Sequence, residues 1–278
     1  MYNMAKHFRP ITARPGNTES YVEIPPCTIL KPYIRCFWGS PEPITTFNED
    51  TNSPQSSIVI PDACMDIIFQ VDYLNNNISC NFYGINDKAF YIRESAKTTL
   101  KSTFGIRFNF WAVALFSDMG MKRALNCCAD SEEYFHDFKK KLEAILIEKP
   151  SIKERIMIVE KYLIERLYKN HSRNDNVMNA IYYILKEKGV IQISDLSRKT
   201  AVSQRQLERI FMEHIGVTPK KTVDLVRFQN VWQELYYARE KDFQEIVYKY
   251  GYSDQPHLIN SFKRYAGRSP LEALLHAK

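Results

Sequence analysis

No apolar run in this chain approaches the roughly twenty residues that a helix needs to cross a bilayer. The longest near candidate, WAVALF at Trp111–Phe116, is far too short. The opening MYNMAKHFRP lacks the charged-then-apolar layout of a secretory leader, so a cytoplasmic location without membrane contact is expected. The cysteines, Cys27, Cys36, Cys64, Cys80, Cys127 and Cys128, show no C-x-x-C spacing. Neither a zinc site nor a thioredoxin-like pair is indicated, and most are expected to be small core residues. The histidines are His7, His136, His171, His214, His257 and His276, and none lies between Tyr21 and Phe108. A metal-dependent barrel enzyme needs several imidazoles on its wall, so their absence argues against one. No catalytic group, metal or cofactor is indicated.

What is present is ordinary in bulk and unusual in pattern. The 278 residues, 45% hydrophobic and 25% charged, suffice for two domains with cores of their own. The net charge of +6 and a pI near 8.8 permit attraction to a polyanion without requiring it. From Asp175 onward there are sixteen Lys and Arg against twelve Asp and Glu, about +4 of the total, so the excess leans toward the C-terminal end.

In that end one short pattern is written twice. ISDLSRKTAVSQRQLERIFMEHIGVTP begins at Ile193 and FQEIVYKYGYSDQPHLINSFKRYAGRSP at Phe243. Leu196 matches Ile246 and Ser203 matches Ser253; after a one-residue insertion Leu207 matches Leu258, Phe211 Phe262, Gly216 Gly267 and Pro219 Pro270. A repeat of this kind is one supersecondary unit used twice, and each copy has the grammar of a helix-turn-helix. In the second copy Asp242 and Glu245 have capping-box spacing, Gly251 suits the sharp turn, Ser253 or Asp254 caps the next helix, and Pro256 stands in its first turn. The first copy lacks the turn glycine, and its turn falls at Ala201 and Val202 before the Ser203 cap. Between the copies, Thr218 to Ala238 has no internal Gly or Pro and sets Val223, Val226, Phe228, Val231 and Leu235 largely on one side, which predicts a helix. Such a rod is about 30 Å long, close to the roughly 34 Å between successive major grooves on one face of B-DNA.

These residues resemble a known family. L-x-R-x-F at Leu207–Phe211, G-V-T-P at Gly216–Pro219, Arg227, then G-Y-S-D and F-K-R-Y-A-G-R-S-P within Gly251–Pro270 are similar to the AraC/XylS class of bacterial transcription regulators over about residues 175–278. The resemblance implies sequence-specific binding to double-stranded DNA, RNA polymerase as a partner, and activation more often than repression. It places Arg205, Glu208 and Arg209, flanked by Gln204 and Gln206, in one groove. In the other it places Gln255, His257 and Asn260, with Asn260 where the second copy of L-x-R-x-F would carry arginine. Arg suits guanine, Glu the cytosine amino group, and Gln and Asn adenine. Lys263, Arg264, Lys220 and Lys221 are better placed for phosphates.

The N-terminal part is punctuated like β-structure. Short apolar runs at Ser57–Ile60, Met65–Val71, Ile78–Tyr83, Ala89–Ile92 and Leu100–Phe108 predict an antiparallel barrel or sandwich, with a turn at Asn75, Asn76 and Asn77. IVIPDACMDIIF at Ile58–Phe69 and FGIRF at Phe104–Phe108 resemble, more weakly, the cupin-like sensor domains that precede AraC-type repeats, which implies a small-molecule effector. Alternation separates Met65, Ile67 and Phe69 from Asp66, Ile68 and Gln70, and Phe104, Ile106 and Phe108 from Gly105 and Arg107. Asp66 and Arg107 are therefore candidates for effector binding, with Arg107 holding a ligand carboxylate, or for a structural ion pair, or for one residue facing water. Phe37, Trp38, Phe69, Phe82, Tyr83 and Trp111 are either core or the lining of a ligand pocket. Helices are expected over Trp111–Phe116, Ser131–Ile147 and Ile152–Leu167. In the last, Ile152, Ile156, Val159 and Leu163 suit either a homodimer seam through 151–168 or packing on their own domain.

The expectation is an α+β chain: a flexible arm over 1–20, a β-rich barrel-like domain with appended helices over 21–168, a linker over 169–175, and an all-α double helix-turn-helix domain over 176–278. The functional alternatives are a protein-interaction module without direct DNA binding and a barrel enzyme with a regulatory tail.

Overall fold

The computed structural model describes residues 4–12, 18–46, 56–93, 99–169, 174–238 and 242–277. Its N-terminal part is built on β1 (Val22–Ile24), β2 (Ile34–Gly39), β3 (Ile44–Thr46), β4 (Ser56–Val59), β5 (Cys64–Asp72), β6 (Asn77–Tyr83), β7 (Phe90–Arg93), β8 (Thr99–Asn109) and β9 (Cys128–Asp130). The main antiparallel sheet runs β1-β2-β8-β5-β6-β9, with β3 on the first residues of β8, and β4 and β7 form a separate ribbon. The β5–β6 turn passes through Asn76 at a φ of +46°, a left-handed position that asparagine tolerates.

The register sorts side chains onto two unlike faces. Ile106 stands opposite Phe37 on one side and Ile67 on the other, Ile67 opposite Phe82, and Phe69 opposite Phe104. All six are buried. On the reverse face Arg107 lies between Cys36 and Asp66, and Gly105 between Trp38 and Ile68. Of the six aromatics in question, Phe37, Phe69, Phe82 and Trp111 are core, whereas the register puts Trp38 and Tyr83 on the charged face.

The apolar face is covered by α1 (Phe138–Glu148), α2 (Ile152–Lys169) and the turns before them. Phe135 packs on Phe82 and Phe108. Ile152, Ile156, Val159 and Leu163 are all buried within this layer, so the stripe packs on its own domain and is not a seam open to a second chain. Arg155 stands in the same helix with no exposure. It donates to the Leu146 and Lys149 carbonyls and to Ser102 Oγ, and lies over the Phe69 ring.

Three expectations need correction. Residues 111–116 hold only a 3-10 turn at Val113–Leu115, and the helix expected from Ser131 begins at Phe138. There Asp130 caps a short turn at Ser131–Glu133, and Tyr134 and Phe135 then turn inward onto Phe82. The third concerns the arm, of which residues 4–12 are held. Met4, Phe8 and Ile11 are buried, and Phe8 packs edge-on against Phe110 and Trp111. Positions 13–17 of the arm and 170–173 of the expected linker lie outside the described residues.

The C-terminal part consists of α3 (Asp175–Lys186), α4 (Ile193–Thr200), α5 (Gln204–His214), α6 (Pro219–Tyr237), α7 (Phe243–Lys249), α8 (Gln255–Ala266) and α9 (Pro270–Ala277). Its first helix buries Val177, Ala180, Ile181, Ile184 and Leu185 along one side. Among the described residues no helix is long and apolar enough to cross a membrane, and no group of three or more His, Cys, Asp or Glu is placed to hold a metal ion.

Candidate nucleic-acid interface

Each helix pair is fixed by local chemistry before it meets its neighbours. After α4 the chain turns at Ala201, held left-handed at a φ of +53°, a position alanine occupies at some cost. Ser197 Oγ donates to the Val202 carbonyl at 2.6 Å and steadies this turn without glycine. Ser203 then caps α5 by accepting from the Gln206 amide. In the second pair Asp242 accepts from the Gln244 and Glu245 amides at 2.8 and 3.1 Å, Gly251 takes the turn at +64°, and Asp254, not Ser253, caps α8.

Leu207, Ile210 and Phe211 of α5, and Leu258 and Phe262 of α8, are buried. That orientation leaves Gln204, Arg205, Gln206, Glu208 and Arg209 exposed on one helix, and Gln255, His257, Asn260, Lys263 and Arg264 on the other. Arg264 is turned back on its own unit, donating to the Tyr265 hydroxyl at 3.0 Å and standing 4.0 Å from Asp224.

The rod between the units is unbroken. Thr218 caps α6, Pro219 occupies its first turn, and the helix runs nineteen residues to Tyr237, a span of about 28 Å. The expected stripe is buried, and so are Leu225, Gln229, Asn230 and Trp232. A helix buried on most of its surface is a core element, and α6 serves as one for its neighbours on every side. Phe228 packs on Phe262 and Tyr265, and Trp232 on Phe262. Arg227 lies 4.7 Å over the Tyr252 ring and pairs with Asp224 at 3.1 Å.

Gln229 shows what else the helix holds. With 1% exposure, its side chain accepts from the Ile11 amide at 3.1 Å and donates to the Pro61 carbonyl. One turn on, Gln233 donates to the Arg9 carbonyl. The N-terminal part also reaches the end of α5, where the Met121 amide donates to the Glu213 carbonyl at 2.7 Å and Lys122 pairs with the Glu213 carboxylate at 3.0 Å. At Gly216, φ is +85° and an added Cβ would lie 2.3 Å from the Met121 oxygen. Lys221, expected to face phosphate, is instead 2.5 Å from Asp87.

On the charged face of the sheet Asp66 and Arg107 do meet. Arg107 Nε and Nη2 donate to Asp66 at 3.0 to 3.3 Å, while Nη1 reaches Glu23 at 3.3 Å and Asp62 lies 3.6 Å from Nε. The guanidinium fork is thus engaged by carboxylates of this chain, which favours the ion-pair reading over a fork held open for a ligand. Arg107 also stacks on Trp38 at 5.2 Å. Burial pushes the Asp66 carboxyl up to about 6, with Asp62 adding repulsion and Arg107 pulling the other way. Glu23, Asp62, Arg155 and Gln229 were not singled out from the sequence. Gln229 stands beside another amide, Asn230, in the predicted helix, so nothing in the spacing set it apart.

Residues 196–274 match the family model described as a helix-turn-helix domain. This segment is a helix-turn-helix domain. Residues 22–130 match a model described as a domain of unknown function, and no curated protein matches the chain. Among solved structures, a transcriptional regulator of the AraC-type DNA-binding domain-containing proteins from Chromobacterium violaceum is 24% identical, over 37% of this chain and 92% of its own, with a TM-score of 0.34. ToxT from Vibrio cholerae is 13% identical over 84% of this chain and 98% of its own, at 0.43. An unsaturated fatty acid bound form of wild-type ToxT is 9% identical over 94% and 97%, at 0.41. These likenesses are too loose to transfer a ligand or a site.

Proposed function

We propose that this chain is a sequence-specific DNA-binding regulator of transcription that sets α5 and α8 into successive major grooves of one duplex. The observation that carries the reading is the unbroken α6, whose buried surface holds two capped helix pairs, each leaving a polar face exposed on its second helix. A rod of about 28 Å is near the one-turn repeat of B-DNA. Hydrogen bonds and ion pairs from the N-terminal part to α5 and α6 support regulation of that surface by whatever binds the sheet domain. A cleft of about 560 Å³ between α2 and the end of α5, lined by Asp118, Tyr162, Arg166, Lys169, Glu213 and His214 among others, supports a small-molecule effector.

Selection of bound sequences from a random duplex pool, with the full chain, tests the reading. The expected product is a site with two blocks about 10 base pairs apart, bound with an affinity that falls steeply with salt. A single block, or retention that salt does not weaken, contradicts it and favours a protein-interaction module.

A further inference from the structure

The first turn of α8 carries a histidine, His257, whose ring is held from behind. The backbone amide of Ser253 points at His257 Nδ1 at 3.4 Å, and Ser253 Oγ lies 3.1 Å from the same nitrogen. A backbone N–H can only donate, so Nδ1 must offer its lone pair, and the single proton of the neutral imidazole sits on Nε2. The Ser253 hydroxyl has a second acceptor, Asp254 Oδ2 at 3.2 Å. Asp254 Oδ1 in turn accepts from the His257 amide at 2.7 Å, a reciprocal arrangement close to a capping box. Tyr252 packs edge-on against the imidazole at 5.2 Å and 82°. Tautomer and ring plane are thereby set by the turn that starts the helix, while the residue stays exposed.

We infer that His257 presents a fixed Nε2–H donor to the major groove and selects guanine at the base pair under the first turn of α8. Guanine offers two neighbouring acceptors on its groove edge, N7 and O6; adenine and thymine offer one each, and cytosine offers only an amino donor. A side chain locked as a donor therefore ranks guanine first and cytosine last. This refines the partner residue by residue: Gln255 and Asn260 have both a donor and an acceptor and can turn their amides to suit adenine, whereas His257 cannot. The inference rests on the DNA-binding reading above.

Two measurements separate the inference from that reading. Long-range nitrogen–proton NMR of the free full chain near pH 8, above the ordinary histidine range, is expected to show His257 protonated at Nε2 and bare at Nδ1. The same tautomer is expected in Ser253→Ala, which keeps the amide; a proton on Nδ1 in either protein overturns the inference without reference to DNA. Sequence selection with wild type and His257→Ala is the second arm. One guanine position is expected to relax in the variant, and replacing that guanine by cytosine is expected to weaken wild-type binding roughly 5- to 100-fold. Replacing it by 7-deazaguanine is expected to weaken wild type and leave His257→Ala unmoved. Unchanged base preferences in His257→Ala overturn the inference while leaving DNA binding intact. Failure of wild type to bind any duplex overturns both.

Discussion

Replacing Asp66 by asparagine removes an ionisable group from a site that holds three carboxylates against one guanidinium, a net charge of −2 among Glu23, Asp62, Asp66 and Arg107. Burial raises the Asp66 carboxyl from 3.8 to about 6, so the folded chain holds that proton more tightly than the unfolded chain does. The stability from this group is fully present below about pH 4 and is lost as pH climbs toward 6. Moving a carboxyl over that range is worth roughly 3 kcal/mol. Asp66→Asn cannot ionise, and it also forfeits one charge-assisted bond to Arg107, a loss of about 1.5–3 kcal/mol that is nearly independent of pH. The absolute difference between variant and wild type therefore mixes two effects, but its change with pH isolates the titration. Urea unfolding of the full chain at intervals from about pH 4 to 7, followed by tryptophan fluorescence, measures it, with Trp38 stacked against Arg107 as a local reporter. The variant should gain on wild type by about 3 kcal/mol across the window. Parallel curves would show that Asp66 ionises in the native state as easily as in water, and would refute the account of the cluster.

Arg107→Leu leaves the carboxylates without their buried cation and should cost about 3–5 kcal/mol at neutral pH, and less in acid where they protonate; the same urea series reads it. Gln229→Leu strands the Ile11 amide and the Pro61 carbonyl, at about 1–3 kcal/mol for each group left unpaired, and should expose residues 4–12 to proteolysis while α6 stays helical. Gly216→Ala meets both a left-handed φ and the Met121 oxygen; a loss of more than about 2 kcal/mol in thermal unfolding is expected, and a smaller loss would show that the 121–124 loop moves aside. Arg209→Ala should cost about 1–3 kcal/mol in duplex affinity and relax one base position if the contact is to a base, or weaken all sequences alike and lower the salt slope by about one if it is to phosphate.

Much of the C-terminal part was legible because its signals are local. Ser203, Asp242, Gly251 and Pro219 act on amides and torsions within a few residues, and they appear where spacing put them. The alternating faces of β5 and β8 were equally readable, since a strand reverses its side chains at every residue whatever lies around it. The missed strand β2 shows the opposite case. A register shift between Ile34 and Cys36 breaks its alternation, and neighbouring Phe37 and Trp38 both look apolar although they stand on opposite faces. The arm was missed because Phe8 packs on Phe110 and Trp111 and the Ile11 amide is held by Gln229 of α6, all more than a hundred residues from the residue they meet.

By itself the chain of residues determined two capped helix pairs, the rod between them and the exposed polar row on each second helix, because capping, turn torsions and three-and-four spacing act within one or two helical turns. Only the tertiary structure decided that the α2 stripe faces inward, that Arg107 is shared among three acids, and that Gln229 ties the arm and the β4–β5 connection to the rod. Those outcomes depend on which groups from distant segments meet once water is excluded, and no local spacing encodes that meeting.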